Sequence, residues 1–310
     1  MSKQIFVKKE AIGGYGKAPE DRTSEELVTY GIINLDKPKG PTSHQVSDYV
    51  QNILGISKAG HSGTLDPQVT GVQPIALGRA TRITEFLLTA PKEYICLMHL
   101  HKEVSEELLK EAVVKLSGKI QQLPPIKSAV KREVRTREIY EIAILEIEGQ
   151  EVLFRIGVQA GTYIRKYCHD FGLKLGCGAH MEELRRTKVA TFDESTLVTL
   201  QDLTDAFHYY KNENNDKFIR KIIQPFENAV RHLPKVWVLD TTINPLSHGR
   251  DLAVLGISKI ESGIKEGDIT AIMTLKGELI GLGIAQMSSE DVMKKDNGIA
   301  IRTNSVLIQT

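Results

Sequence analysis

The sequence predicts an α+β fold, in which helices flank a mixed, largely antiparallel sheet and a small β-barrel follows at the carboxyl end. Segments with the alternation of strands lie on both sides of helix-like segments, without a regular strand–helix repeat. Beyond residue 233 the pattern changes to short apolar segments separated by turns that contain glycine. A chain of 310 residues is long enough for two such domains.

The first third of the chain predicts an arm, two helices and a strand. Residues 1–30 are polar and weakly periodic, which indicates an extended arm. Thr42 and Ser43 are expected to cap a helix. Its apolar stripe consists of Val46, Tyr49, Val50, Ile53 and Leu54. Residues 92–100 predict a strand, and Ser105 and Gly118 are expected to begin and end a second helix.

The next segments predict a hairpin, a helix and the barrel. Residues 140–144 and 152–158 alternate on either side of Gly149, as in a β-hairpin. Thr162 is expected to cap the helix that follows, and the polar residues 211–217 mark a loop or a domain edge. Short strands are then predicted at 236–239, 269–275, 279–285 and 299–302.

Composition favours a cytoplasmic protein without a membrane partner. No apolar segment approaches the roughly 20 residues that span a bilayer, and the first ten residues lack an apolar signal core. Three cysteines are too few for a disulfide framework and suit a reducing compartment. Because the net charge is only +1, binding to nucleic acid would have to come from local basic patches.

Residues 60–82 form the most informative segment of the chain. Asp66 is fixed between Gly63 and Pro67 in a loop that contains further glycines and a second proline. Such a loop holds one carboxylate at a defined angle, which a nucleophile or a general base requires. From the residues alone, a turn aspartate that bonds its own backbone is the commoner interpretation.

Residues 31–44 and 60–82 resemble, in this order, two motifs of the TruB/dyskerin family of pseudouridine synthases. The family contains the bacterial tRNA enzyme and the box H/ACA enzyme of archaea and eukaryotes. Residues 248–257, 264–268 and 275–285 resemble a PUA domain, an RNA-binding module. The resemblance implies an N-terminal arm (1–30), a pseudouridine synthase catalytic domain (31–232) and a PUA domain (233–310), on which the arm is a candidate to pack.

The resemblance also implies the catalytic residues. Asp66 would be the nucleophile, and Tyr94 would stack on the flipped base and help to remove its C5 proton. Arg165, in a third motif, would keep the carboxylate ionised in a dry site. Without the family, a packing tyrosine and a helix-surface arginine are the ordinary interpretations. Substrate-binding positions implied in the same way are His61, Tyr163 and Leu184.

A basic cluster carries the implied RNA contacts. Five cations lie within eleven residues, and the family resemblance favours phosphate contacts over an ordinary solvated surface. The RNA-binding candidates are Lys127, Lys131, Arg132, Arg135, Arg137 and, in the PUA domain, Arg250. No cofactor is expected, because the isomerisation has no redox step. No metal is expected either, although Cys168, His169, Cys177 and His180 have spacings that zinc sites use.

Three features favour the archaeal box H/ACA branch: the N-terminal arm, residues 126–140 and residues 273–279. That branch implies a guide RNA, a substrate RNA (rRNA or tRNA) and small H/ACA ribonucleoprotein subunits as partners. Two alternatives stay open. One is a stand-alone synthase that modifies the TΨC arm of tRNA without a guide, and the other is a non-catalytic RNA-binding scaffold. Gln73 departs from the family pattern, which usually has an aliphatic residue there.

Overall fold

A computed structural model describes residues 4–125 and 131–308. Contacts divide the chain into two units, one of residues 32–223 and one that combines residues 1–31 with 224–310. Each unit has a hydrophobic core of its own. Within the described residues, none of the helices combines the length and the apolar character that crossing a membrane requires.

The elements follow one another as short strands and helices. The strands are β1 (Ile5–Val7), β2 (Gly31–Lys37), β3 (Ala59–His61), β4 (Thr70–Leu77), β5 (Lys92–Leu100), β6 (Gly118–Gln122), β7 (Arg135–Glu148), β8 (Glu151–Val158), β9 (Ala179–Val189), β10 (Phe192–Asp193), β11 (Ile223–Pro225), β12 (Lys235–Val238), β13 (Leu252–Ala253), β14 (Ile257–Glu261), β15 (Ile269–Met273), β16 (Leu279–Ala285) and β17 (Ile299–Val306). The α-helices are α1 (Ser24–Tyr30), α2 (Ser43–Leu54), α3 (Thr84–Thr89), α4 (Glu106–Lys115), α5 (Ile164–Leu175), α6 (Leu200–Asn212), α7 (Ile219–Ile222), α8 (Asp240–Ser247) and α9 (Ser289–Lys294).

In the unit of residues 32–223, the strand order is β2-β4-β9-β5-β8-β7-β6. The pairing of β4 with β9 is parallel, and the other neighbours along this order are antiparallel. The mixed, largely antiparallel sheet is therefore confirmed. The predicted hairpin of β7 and β8 is also present, and Gly149 turns between them with a φ of +58°.

Helix α5 packs on one face of this sheet. Tyr167, Cys168 and Phe171 from α5 share a core with Cys96 of β5 and Phe154 of β8. The Cys168 and Cys96 sulfurs lie 3.6 Å apart in this core, and all three cysteines of the chain are free. The core thus fixes α5 against the sheet.

Three local predictions about the helices are wrong. Tyr49 of α2 is 42% exposed, because Ser43 and Ser47 take inward positions beside Val46 and Val50. Helix α4 ends at Lys115, and Gly118 instead begins β6. Helix α5 is not capped by Thr162, whose hydroxyl donates to the carbonyl of Gln159 at 2.7 Å. The caps predicted at Thr42 and Ser105 are confirmed by bonds from the amides of Gln45 and Leu108.

The other unit is built on a sheet with the order β1-β14-β12-β15-β16-β17-β13. Strand β1 of the arm pairs antiparallel with β14, so that Ile5 lies opposite Glu261. The arm also contains α1, which the sequence did not predict because seven residues are too few to show a helical period. Strand β14 and helices α8 and α9 likewise lie outside the predicted elements.

Candidate active site

Asp66, in the loop before β4, forms an ion pair with Arg165, in the first turn of helix α5. The Arg165 guanidinium donates through Nη2 to Oδ2 of Asp66. The Asp66 side chain is 53% exposed and the Arg165 side chain is 59% exposed. The structure thus brings together the two residues for which a partnership was predicted, and it leaves both open to a ligand.

Lys37 bonds the backbone of the loop that carries Asp66. Its buried Nζ donates to the carbonyls of Pro38, Pro67 and Val69 at 2.9, 3.1 and 2.9 Å. Burial lowers the pKa of Lys37, and the nearby Arg186 lowers it further, whereas the Asp66 carboxylate raises it. One buried cation therefore holds the backbone on the carboxyl side of Asp66.

Ser43 and Gln73 hold the loop on its amino side. The Leu65 amide donates to Ser43 Oγ at 2.8 Å, and that hydroxyl donates to Gln73 Oε1 at 2.9 Å. Gln73 Nε2 in turn donates to the Ser43 carbonyl at 3.3 Å. Both side chains are fully buried, so these bonds satisfy polar groups that would otherwise be costly. The unusual Gln73 therefore completes a network that reaches the residue before Asp66.

Arg186 connects the loop to Tyr94. This buried guanidinium donates to the carbonyls of Val72 at 2.7 Å and Gly63 at 3.4 Å. Burial lowers the pKa of Arg186, and the electrostatic interaction with Tyr94 raises it. A Cβ at Gly71 would lie 2.2 Å from the Arg186 carbonyl oxygen, which explains why the sequence has glycine there.

Tyr94 and Leu184 lie on one face of the sheet. Tyr94 of β5 is paired with Arg186 of β9, and Cys96 is paired with Leu184. Since directly opposed residues share a face, all four side chains point to the side on which α5 packs. Tyr94 and Leu184 are partly buried at the edge of that core. They therefore lie on the face of the sheet on which α5, the helix that carries Arg165, packs.

His61 packs edge-on against His44. The two ring centroids are 4.7 Å apart with an interplanar angle of 72°, and the Gly63 amide donates to His61 Nδ1 at 3.4 Å. Burial lowers the pKa of His61 to about 4, and the charges of His44 and Arg186 act in the same direction. His61 is therefore neutral near pH 7.

The pKa of His61 predicts a pH dependence of stability. In the unfolded chain this imidazole binds its proton below about pH 6.5, but in the folded chain only below about pH 4. The unfolded state therefore holds more protons between these values, and the free energy of unfolding falls as the pH drops through this range. We expect the His61→Gln variant to lose less stability than the wild type between pH 7 and 5 in urea unfolding. Equal losses in the two proteins would contradict this assignment.

Tyr163 and the predicted RNA-binding residues do not contact the Asp66–Arg165 pair in any described bond. Tyr163 is the N-cap residue of α5, and Arg137 Nε donates to the Gly161 carbonyl at 3.1 Å. Lys131 and Arg135 lie 3.2 and 3.6 Å from the Glu133 carboxylate. Arg132 is exposed, as is Arg250 in the other unit. Lys127 lies outside the described residues.

The four residues with zinc-like spacing do not form a cluster. Cys168 is buried beside Cys96, whereas His180 Nδ1 lies 3.0 Å from His101 Nε2 at the surface. In the part of the chain that the structure describes, no three histidine, cysteine or carboxylate side chains are arranged to hold a metal ion.

Sequence reasoning missed Lys37, Ser43 and Arg186 as parts of the site. A signal was available for two of them. Lys37 is a cation at the end of the buried strand β2. Arg186 lies two residues after Leu184, and alternation therefore places it on the same face. Ser43 gave no comparable signal, since its partner Gln73 is 30 residues away.

The comparisons with known proteins identify the family. Residues 51–164 match the N-terminal domain of TruB family pseudouridylate synthases, and residues 165–231 match the C-terminal domain of tRNA pseudouridylate synthase B. The probable tRNA pseudouridine synthase B of Methanothermobacter thermautotrophicus is 52% identical over 95% of this chain and 91% of its own length. The chain belongs to the TruB family of pseudouridine synthases. It is thus an isomerase, as the motifs predicted.

Further family matches cover most of the remaining residues of the TruB-family chain. Residues 234–307 match the PUA domain, and residues 2–47 match the DKCLD domain. The probable tRNA pseudouridine synthase B of Nanoarchaeum equitans is 51% identical over 99% of this chain and 88% of its own length. The predicted fold class, a catalytic domain of this family with a PUA domain, is confirmed.

Two solved structures are similar over nearly the whole chain. A chain of a Cbf5-Nop10-Gar1 complex matches 99% of this protein, and 95% of that chain is covered, with a TM-score of 0.92 and 50% identity. A chain of an H/ACA RNP bound to a substrate RNA containing 2′-deoxyuridine matches all of this protein and 96% of its own length. The TM-score for that chain is 0.90 and the identity is 48%.

Proposed function

We propose that this TruB-family enzyme converts uridine to pseudouridine in rRNA or tRNA at positions selected by a box H/ACA guide RNA. The observation that carries the proposal is its similarity, at a TM-score of 0.92 over 99% of the chain, to the structure of a Cbf5-Nop10-Gar1 complex. Its partners are then the guide RNA, the substrate RNA and small H/ACA ribonucleoprotein subunits. The free, buried cysteines suit a cytoplasmic location, and the archaeal relatives suit an archaeal enzyme.

Asp66 is the reacting carboxylate of the proposal. The isomerisation breaks the bond from ribose C1′ to uracil N1 and forms a bond from C1′ to C5, while C5 loses a proton and N1 gains one. Asp66 acts as the nucleophile, at C1′ or at C6, on a base flipped out of the RNA. Its exposure and its rigid loop support this role, because the attacking atom must be both accessible and fixed.

Arg165 and Tyr94 complete the proposed reaction centre. The guanidinium keeps Asp66 ionised after the RNA has excluded water from the site. Tyr94 stacks on the base and helps to remove the C5 proton, and its position opposite the buried Arg186 in the β5–β9 pairing supports this role by placing the phenol beside a fixed cation. No cofactor takes part, because electrons and atoms balance within the substrate.

The remaining predicted residues serve RNA binding. The neutral ring of His61 assists base flipping, and Tyr163 and Leu184 line the uracil pocket. The proposed phosphate contacts are Lys127, Lys131, Arg132, Arg135 and Arg137 in residues 31–232, and Arg250 in the PUA domain of residues 233–310. Phosphate contacts of this kind fix the RNA without reading its sequence, which suits a guided enzyme.

A second candidate function is that of a stand-alone tRNA pseudouridine synthase, because the relatives carry the name probable tRNA pseudouridine synthase B. One experiment separates the two. Pseudouridine is measured in a tRNA transcript with this chain alone, and in a guide-matched RNA with guide and accessory proteins. We expect turnover that depends on the guide. Equal turnover on tRNA without a guide would make the protein a stand-alone synthase, and no turnover in either would leave the scaffold alternative.

A further inference from the structure

Gln122 hydrogen-bonds the backbone of Tyr163 through both the oxygen and the nitrogen of its side-chain amide. The Tyr163 amide donates to Gln122 Oε1 at 3.0 Å, and Gln122 Nε2 donates to the Tyr163 carbonyl at 3.1 Å. Gln122 is the last residue of β6 and is only 2% exposed. The side chain thus binds Tyr163 much as a neighbouring strand would, through one donor and one acceptor.

This contact is made at the start of the helix that carries Arg165. Tyr163 is the N-cap residue of α5, and its side chain makes no capping bond. The Thr162 hydroxyl is directed to Gln159 instead. A helix start without a side-chain cap leaves its first turn less well fixed. Gln122, from a different strand, supplies hydrogen bonds at this point two residues before Arg165.

We propose that Gln122 is a positioning residue for the isomerisation, which fixes the first turn of α5 so that Arg165 meets Asp66. This inference rests on the proposed role of Arg165. The Asp66 loop has its own supports in Lys37, Ser43 and Arg186. Gln122 performs the corresponding task on the opposite side of the ion pair, and the two charged groups are held by independent parts of the fold.

The neighbouring glutamine provides a matched control. Gln121 lies in the same strand, but its exposed side chain donates to the Thr136 hydroxyl at 2.9 Å, away from α5. Gln122→Met removes both bonds to Tyr163 at nearly unchanged volume, and Gln121→Met makes the same substitution one residue earlier. Gln122→Glu is a second variant that keeps the shape and the acceptor for the Tyr163 amide while losing the donor.

The test measures the single-turnover rate of pseudouridine formation in the full guided assembly, the RNA dissociation constant and the melting temperature. We expect Gln122→Met to lower the rate about tenfold or more without weakening RNA binding, since small displacements of a catalytic group are costly. We expect Gln122→Glu to lower the rate at least as much, since a buried carboxylate oxygen would face the Tyr163 carbonyl oxygen, and Gln121→Met to match the wild type. In an Arg165→Met background, Gln122→Met should lower the rate by less than about twofold.

The outcomes separate the two proposals. If Arg165→Met loses activity while Gln122→Met keeps it, Gln122 has no positioning role and the proposed site stands. A full additional loss in the Arg165→Met background would show that Gln122 does not act through Arg165. If Arg165→Met itself keeps full activity, the role of Arg165 is wrong and the role of Gln122 is wrong with it.

Discussion

The Asp66→Asn variant is expected to lose pseudouridine formation by at least about 10³-fold while it keeps its melting temperature and its RNA affinity. The amide has the same shape, and the Asp66 side chain is more than half exposed, so no core packing is lost. An amide is neither a carboxylate nucleophile nor a charge partner for Arg165. The measurement is the single-turnover rate with a guide-matched RNA, beside RNA binding and thermal unfolding.

Asp170 offers the control for this substitution. It is also an aspartate paired with a cation of α5, since Lys166 donates to it one turn away. Asp170→Asn removes another ion pair of α5 outside the proposed site, and a partly exposed pair of this kind contributes little to stability. We expect it to leave the rate unchanged. A similar loss in both variants would mean that Asp66 acts through general electrostatics or folding.

Arg165→Met is expected to lower the single-turnover rate about 100-fold or more, because a preorganised charge at the reacting group is lost. The guanidinium is more than half exposed, so the melting temperature should change little. Arg165→Lys should recover only part of the rate, since an ammonium lacks the planar fork of donors. RNA affinity should stay close to that of the wild type in both variants.

The adjacent Lys166 makes a matched comparison for Arg165. It lies on the same helix turn and pairs with Asp170 instead of Asp66. Lys166→Met removes the same charge from α5, and we expect it to retain the wild-type rate. If Lys166→Met and Arg165→Met lost equal activity, the net charge of α5 would matter and the Asp66–Arg165 pair would not.

The sequence predicted the parts of the fold that depend on local patterns. The β7–β8 hairpin followed from alternation around Gly149, and the start of α2 followed from Thr42. The pairing of Asp66 with Arg165 came from the family resemblance, because no local pattern connects residues 99 positions apart. Chemistry that depends on contact between distant segments was accessible only through that resemblance.

The features of the site that the sequence did not predict depend on tertiary contacts. Thr162 has the residue type of a helix cap, but the backbone turns its hydroxyl toward Gln159, and Gln122 from β6 bonds the N-cap residue instead. The Ser43–Gln73 bond forms only when the fold brings the start of α2 next to β4. Burial of the Lys37 ammonium is tolerated because it donates to three carbonyls from two loops, which meet only in the folded chain. None of these arrangements has a spacing that can be recognised in the chain.

The contacts of Lys37, Ser43 and Arg186 have the same physical effect, which is to make the Asp66 loop rigid. Buried cations and buried amides are costly unless they are fully bonded, so each one specifies a single arrangement of the backbone around it. Lys37, Arg186 and Ser43 together bond the backbone at Gly63, Leu65, Pro67 and Val69. A carboxylate fixed on both sides in this way is suited to attack one atom of a bound base.

The most direct test of this account is the release of tritium from [5-³H]uridine at one guide-matched position, with enzyme in excess. Formation of the new bond at C5 expels the C5 hydrogen, so that tritium release counts completed isomerisations. The account predicts that the wild-type assembly releases the label from the target uridine and that the Asp66→Asn assembly, bound to the same RNA, does not. Equal release by both assemblies would contradict the assignment of Asp66 as the reacting carboxylate.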